Sequence, residues 1–360
     1  MDIQNIDKNL KVETSIKKDD ITFFSALDPR FDLYGVIPPA SEDDRFTRMP
    51  QSVADATNDG VKSLNACTAG GRLRLRTDSP YIAISAVMTR MSKMPHMAFT
   101  GSIGFDLYKV VNGKEVYAGT FTPPVAIESK FESVINLGAM EERELIINFP
   151  LYSGVKKLYI GLSDKADIGT PAKYTYDVPV VYYGSSITQG GCASRPGNSY
   201  QQMISRRFDC DYVNLGFSGS ARGETVIAEY IAGLKMSVFV YDYDHNAPTP
   251  EHLMNTHKPM FDIIRKAQPD LPIIMASWTP TNNHGQTDRR FEIIKRTYDI
   301  AKSEGDENVY FLDGRKMFDG ICDDNGTVDG CHPNDWGFAA MAKAFGDVIE
   351  KVIKNKAYID

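Results

Sequence analysis

The sequence predicts an α/β protein in two parts, an N-terminal all-β sandwich and a C-terminal three-layer α/β/α domain. Three observations carry this expectation. Up to about residue 175, short apolar strands alternate with turns, and helical periodicity is nearly absent. Beyond it, apolar runs ending in glycine or polar turns alternate with segments of helical spacing, the pattern of a parallel sheet covered on both faces. Between the two parts, Gly169-Thr170-Pro171 punctuates the chain.

Taken in order, residues 1–20 are charged and aperiodic and read as a tether or an edge strand. The sandwich is expected over 21–175. Within it, Arg72-Leu73-Arg74-Leu75-Arg76 alternates strictly, which puts leucines on one face and arginines on the other. A solvated arginine face is the expectation, and a sugar- or anion-binding face is the alternative. Residues 81–88 form a strand after the Ser79-Pro80 turn, and 105–110 pair with 114–121 across Asn112-Gly113, the strongest short hairpin signal. Residues 144–149 and 157–162 add two more strands. The second domain is expected over 176–360. Its strands are 178–183, 211–215, 236–241, 272–277 and 308–312, with helices near 200–208, 224–232, 250–267 and 289–304. The final helix, 336–353, sets Phe338, Met341, Phe345, Val348 and Val352 on one face.

The totals exclude several functions. With 42% hydrophobic and 24% charged residues the 360-residue chain has the composition of a soluble globular protein, long enough for two cores. A net charge of −7, with no basic run against it, speaks against a nucleic-acid partner. No apolar stretch reaches the roughly 20 residues of a membrane span. The N-terminus carries no apolar segment of the signal-peptide kind, so the expected location is cytoplasmic, or periplasmic or secreted if a leader has been removed. Five cysteines (Cys67, Cys192, Cys210, Cys322, Cys331) stand at no metal-finger spacing, which favours isolated thiols and supports no structural zinc. A Cys192–Cys331 bridge is the alternative for one pair, with Cys322 as the competing partner.

The chemistry gathers at the ends of the C-terminal strands. The apolar run 178–183 ends in Gly184-Ser185-Ser186, a turn where open α/β sheets place reactive groups. A serine hydroxyl becomes a nucleophile when a histidine takes its proton and a carboxylate orients that histidine. Asp329-Gly330-Cys331-His332-Pro333 supplies both ahead of the last helix. The developing oxyanion needs donors. The glycine-rich turn Asn214-Leu215-Gly216-Phe217-Ser218-Gly219-Ser220 offers a backbone N–H, and Asn246 in Asp244-His245-Asn246-Ala247 offers a side-chain N–H.

In this order the four motifs resemble the sequence blocks of the SGNH, or GDSL-type, hydrolase superfamily over roughly residues 178–355. The first block is usually G-D-S-[IL] and here reads Gly184-Ser185-Ser186-Ile187, which makes Ser186 the nucleophile and puts Ser185 where the family usually has aspartate. The glycine of the second block corresponds to Gly219. The third, usually G-x-N-D, keeps Asn246 and changes both ends, and the last, D-x-x-H-P, is intact. The resemblance implies a catalytic set of Ser186, His332 and Asp329. Its implied oxyanion hole is made by the N–H groups of Ser186 and Gly219 and the side chain of Asn246, with no metal or organic cofactor. A β-rich half ahead of such a domain is similar to bacterial esterases that carry a jelly-roll module, several of which deacetylate carbohydrates.

The expected activity is therefore a serine esterase that removes a short acyl group, acetyl above all, from a carbohydrate or another small polar alcohol. An acyltransferase built on the same residues is the first alternative, and a carbohydrate-binding protein with an inactive hydrolase domain is the second. His245 is read as packing beside the third strand, with substrate contact as the alternative. Trp278 and the loop 279–290 stand evenly between a pocket wall and a plain surface loop. His96, His252, His257 and His284 have no partner at meaningful spacing and are expected at the surface. Asp323 and Asp324 compete with Asp329 as the acid, but Asp323-Asp324-Asn325-Gly326 reads better as a turn.

Overall fold

The computed structural model describes residues 16–41, 43–279 and 287–356. Most of the expected tether, His284 and the middle of the loop 279–290 lie outside the described residues. In chain order, β1 (Ile21–Ser25) and β2 (Asp32–Tyr34) precede two short helices, α1 (Gln51–Thr57) and α2 (Asp59–Leu64). There follow β3 (Arg72–Thr77), β4 (Tyr81–Arg90), the single turn α3 (Phe99–Ser102), β5 (Phe105–Val111), β6 (Lys114–Phe121) and β7 (Lys130–Asn136). β8 (Arg143–Asn148), β9 (Gly154–Ser163) and β10 (Ile168–Gly169) complete the first half. The second half runs β11 (Tyr176–Gly184), α4 (Ser186–Gln189), α5 (Tyr200–Phe208), β12 (Cys210–Gly216), α6 (Thr225–Ala232) and β13 (Val238–Asp242). It continues α7 (Pro250–Ala267), β14 (Ile273–Ala276), α8 (Thr287–Ser303), β15 (Val309–Leu312) and α9 (Asp335–Lys356).

These elements form two compact units. Among the described residues, the first gathers those up to Thr47, Ala66–Lys173 and Ser194–Gly197, and the second gathers Arg48–Asn65, Tyr174–Ala193 and those from Asn198 on. The helices α1 and α2, seven and six residues long, are too short to show a readable period, and they belong to the second unit.

The first unit is a sandwich of two antiparallel sheets, ordered β1-β9-β4-β7 and β10-β3-β8-β5-β6, with β2 also on β3. Asn112 and Gly113 close the β5–β6 hairpin with φ of 51° and 73°, the positive pair that a two-residue primed turn requires. Alternate residues point inward: Leu73 and Leu75, Phe105 and Leu107, and Leu145 and Ile147 from one sheet meet Ile82, Ile84, Leu158 and Ile160 from the other. Each such side chain, fully buried, contributes about 1.5–3 kcal/mol relative to exposure.

The other face of the larger sheet departs from expectation. Arg72 and Arg74 are buried, at 0% and 4% exposure, and do not form a solvated face. Strict alternation assigns a side chain to a face but does not say what covers it, and β3 is an interior strand. Register sets Arg72, Asn148 and Asp106 in one cross-strand row. The Asn148 amide donates to Asp106 Oδ1 at 2.8 Å, and Asp106 Oδ2 accepts from Arg195 Nη1 at 3.1 Å and from the Gly197 N–H at 2.8 Å. Burial raises the Asp106 carboxyl, and these three donors pull against that.

The second unit carries a five-stranded parallel sheet ordered β12-β11-β13-β14-β15. On one face α5 packs with α9, where the Tyr200 ring stacks on Phe345 at 5.2 Å. On α9, Phe338, Met341, Phe345 and Val352 are buried as the spacing predicts, but Ile349 takes the inward place expected of Val348. On α7, Leu253, His257, Met260, Phe261 and Ile264 form the buried stripe. His257 is 1% exposed, its Nδ1 lies 2.9 Å from Thr297 Oγ1, and its ring stacks on Tyr241 at 4.3 Å. A surface position for it was the wrong expectation, because position along the apolar stripe decides burial and residue type does not. His96 is exposed, and half-buried His252 sets Nε2 against the Arg222 carbonyl. The chain leaves β11 for β12 on one side and reaches β13 on the other. The crevice beyond the C-terminal ends of β11 and β13 is thus the switch point of the sheet.

Candidate active site

The run of β11 stops at Gly184 for a steric reason. A Cβ there would lie 2.1 Å from Thr188 Oγ1 and 2.3 Å from the Asp242 carbonyl oxygen, so the chain turns on a glycine. Ser185 caps α4, its Oγ accepting the Ile187 N–H at 3.1 Å, and it is fully buried. Ser186 opens α4 instead of capping it. Its Oγ lies 3.0 Å from His332 Nε2, and His332 Nδ1 lies 2.7 Å from Asp329 Oδ2. The other oxygen, Asp329 Oδ1, accepts the N–H groups of Cys331 and His332 at 3.0 and 2.7 Å. Partial burial raises the Asp329 carboxyl, but these bonds outweigh it and hold the group at about 2. Asp324 accepts instead from the neighbouring Asn325 amide at 3.0 Å, its one hydrogen bond among the described residues.

Two loops are tied together here. The Cys192 N–H donates to the Pro333 carbonyl at 3.2 Å, joining the segment after Ser186 to the segment after His332. No disulfide joins any of the five cysteines, so this link is a hydrogen bond and not a covalent bridge. Burial, with Asp329 and Cys331 nearby, pushes the Cys192 thiol up to about 12.

Phe217 ties the turn before Ser186 to the turn that carries Asn246. Its N–H donates to the Gly184 carbonyl at 2.9 Å, and its carbonyl accepts one N–H of the Asn246 amide at 2.7 Å. Gly219 follows two residues on with φ of +67°, and a Cβ there would meet nothing within 4 Å. Its N–H has no hydrogen-bond partner among the described residues. His245 and Trp278 come together as a stacked pair, ring centroids 4.1 Å apart, and His245 Nε2 accepts the Thr279 N–H at 3.3 Å. Trp278 is 8% exposed.

Three supports escape sequence reasoning. Arg290 on α8 donates to the Asp244 carboxylate and carbonyl, both at 2.9 Å, and to the Ala247 carbonyl at 2.8 Å, so it clasps the turn that carries Asn246. Burial lifts the Asp244 carboxyl to about 6 although Arg290 and the Trp278 N–H pull it down. Asp242, at the end of β13, is buried beside Thr188 Oγ1 (3.4 Å) and Tyr200 OH (3.5 Å), and desolvation raises it well above the usual carboxylate range. Arg48 is buried with its guanidinium 4.3 Å from the Phe217 ring. No local pattern marks any of the three, since each partner lies far off in the chain.

A hydroxyl, an imidazole and a carboxylate bonded in series at the switch point of a parallel sheet form the arrangement of a serine hydrolase. A model of the GDSL-like lipase/acylhydrolase family matches residues 177–352. A model of the N-terminus of SGNH-hydrolase-type esterases, designated GxDLY, matches residues 21–168, and Gly104-Phe105-Asp106-Leu107-Tyr108 spells that designation. Among solved structures, a Bacteroides ovatus protein assigned as a GDSL-like lipase is 30% identical, with a TM-score of 0.82 over 93% of this chain and 98% of its own. The salicylyl-acyltransferase SsfX3 from a tetracycline biosynthetic pathway is 18% identical, with a TM-score of 0.74 over 91% and 96%. An acetyl xylan esterase from the rumen bacterium Butyrivibrio proteoclasticus is 12% identical, with a TM-score of 0.55 over 92% and 98%. No curated protein matches the chain. The chain belongs to the GDSL-like lipase/acylhydrolase family, and it is an SGNH-type ester hydrolase.

Proposed function

We propose that this enzyme is a serine esterase that removes a short acyl group, acetyl above all, from a carbohydrate or another polar alcohol. The observation that carries the reading is the series Ser186 Oγ, His332 and Asp329, with contacts of 3.0 and 2.7 Å. Ser186 Oγ attacks the ester carbonyl while His332 Nε2 takes its proton, and Asp329 holds the ring and offsets its positive charge. The oxyanion is met by the N–H groups of Ser186 and Gly219 and by the Asn246 amide. His332 then gives its proton to the leaving alcohol. Water, deprotonated by the same nitrogen, opens the acyl-enzyme and returns Ser186 to its hydroxyl form. The acetyl and carbohydrate parts of the reading take support from the shared fold of the acetyl xylan esterase.

A second reading is transfer of the acyl group to an alcohol in place of water. The likeness of fold to a salicylyl-acyltransferase favours keeping it. One experiment addresses both: release of acetate from p-nitrophenyl acetate and from a panel of acetylated sugars, with and without a competing sugar acceptor. Ser186→Ala should remove nearly all turnover. Ser185→Ala should keep most of it and lose about 1 kcal/mol of stability with the helix cap. An inactive Ser185→Ala beside an active Ser186→Ala overturns the mechanism, and an acylated acceptor identifies a transferase.

A further inference from the structure

The turn 217–220 decides where the Gly219 N–H points. The Ser220 N–H donates to the Phe217 carbonyl at 2.9 Å, and the positive φ of Gly219 at its third position places the turn in the type II class. In such a turn the central peptide, here Ser218–Gly219, is the one whose rotation interconverts types I and II. Its N–H and C=O point in opposite directions, so whatever holds the Ser218 carbonyl also aims the Gly219 N–H. The Ser220 hydroxyl does this, donating to the Ser218 carbonyl at 3.1 Å.

Ser220 is in turn held by the early helical segment of the same unit. The Asn58 amide donates to the Ser220 carbonyl at 3.0 Å and to Glu224 Oε1 at 2.5 Å, while Asn58 Oδ1 caps α2 by accepting the Val61 N–H at 2.9 Å. Gly60 lies so close that a Cβ on it would sit 1.9 Å from Ser220 Oγ. At the other end of the turn, Arg48 donates to the carbonyls of Gly216 and Asn214 while its Nη2 donates to the Leu64 carbonyl at 2.8 Å.

We propose that Ser220 and Asn58 are positioning residues of the oxyanion hole, Ser220 by locking the Ser218–Gly219 peptide and Asn58 by locking Ser220. The inference rests on the reading of Gly219 as an oxyanion donor. Neither residue touches the reacting atoms. Both act by fixing a dipole before charge develops, so their loss must show in the transition state and not in substrate binding.

The test uses the full chain with Ser220→Ala and Asn58→Asp. The second variant keeps the acceptor that caps α2 and replaces the donor facing Ser220 and Glu224, so it separates capping from loop holding. Deleting an oxyanion donor costs about 10²–10³ in kcat, and a misaimed one should cost roughly 10-fold to 100-fold with KM within about twofold. The second readout is affinity for methylboronic acid, whose boron accepts the Ser186 oxygen, the serine proton passing to His332, to give a tetrahedral anion. That affinity should fall by the same factor as kcat. Unchanged kcat and boronate affinity in either folded variant overturn the inference, as does a rise in KM alone. Ser186→Ala runs alongside. If it is inactive and binds no boronate while Ser220→Ala behaves as the parent, only the positioning role fails. If it remains active, the serine mechanism falls and takes this inference with it.

Discussion

Replacing His257 by glutamine tests the packing of α7 against the sheet through proton binding. The imidazole is 1% exposed, and desolvation pushes it from 6.5 down to about 3. In the unfolded chain it titrates near 6.5. Between these values the unfolded state binds one proton that the folded state refuses, so stability falls as the pH falls, by about 1.4 kcal/mol per unit. From pH 6.5, where the unfolded imidazole is half protonated, to about 4.5 this one residue should cost roughly 2 kcal/mol, a sizeable share of the 5–15 kcal/mol typical of a folded protein. Asp106 and Asp242, raised by burial, act with the opposite sign, but both are present in parent and variant and cancel in the comparison. Urea unfolding of the two proteins at pH 7 and at about pH 4.5 measures the difference. The variant is expected to start lower at pH 7, having lost the Thr297 bond and the Tyr241 stack, and then to lose less on acidification. Equal losses in the two proteins would mean that the ring takes up its proton in the folded state, and the burial argument would fail.

Two further outcomes follow from the site. Asp329→Asn should lower kcat by about 10⁴, whereas Asp324→Asn, whose carboxylate accepts from the Asn325 amide and not from His332, should stay within about twofold; equal small effects would leave a Ser–His pair without its acid. Thiol titration of denatured, unreduced protein should count five groups, and in the native protein half-buried Cys331 should react before Cys192, which is held up at about 12; a count of three would reveal a bridge.

Local signals carried the strands, the hairpin at Asn112-Gly113 and the Asp329 to Pro333 motif, because each is written in neighbouring residues. The helix expected near 200–208 stands as Tyr200–Phe208, and Asp209, at φ +50°, ends it. What stayed hidden was partnership. Arg72 looks like any exposed strand arginine until β2 and β8 flank it, and His257 looks like a surface histidine until Tyr241 lies beneath it. Arg290, Asn58 and Arg48 act on the carbonyls of Ala247, Ser220 and Asn214, tens to more than a hundred residues away, and a carbonyl has no letter in the sequence. For Ser185 the chain offers a local answer: a hydroxyl caps α4 where the family usually has a carboxylate.

The exchange of segments between the two units bears on how such a chain can change over generations. Two family models meet end to end along it, 21–168 and 177–352, and suggest modules that recombination could trade. Yet Arg48–Asn65 is encoded within the first span and folds with the second, and Ser194–Gly197 is encoded within the second and folds with the first. A crossover near codon 174 would therefore part Asn58 from Ser220 and Asp106 from Gly197 in one stroke. Lineages that tried it would inherit mismatched halves, so the pair is expected to travel through evolution as one gene, with substitutions on either side of the seam answering one another.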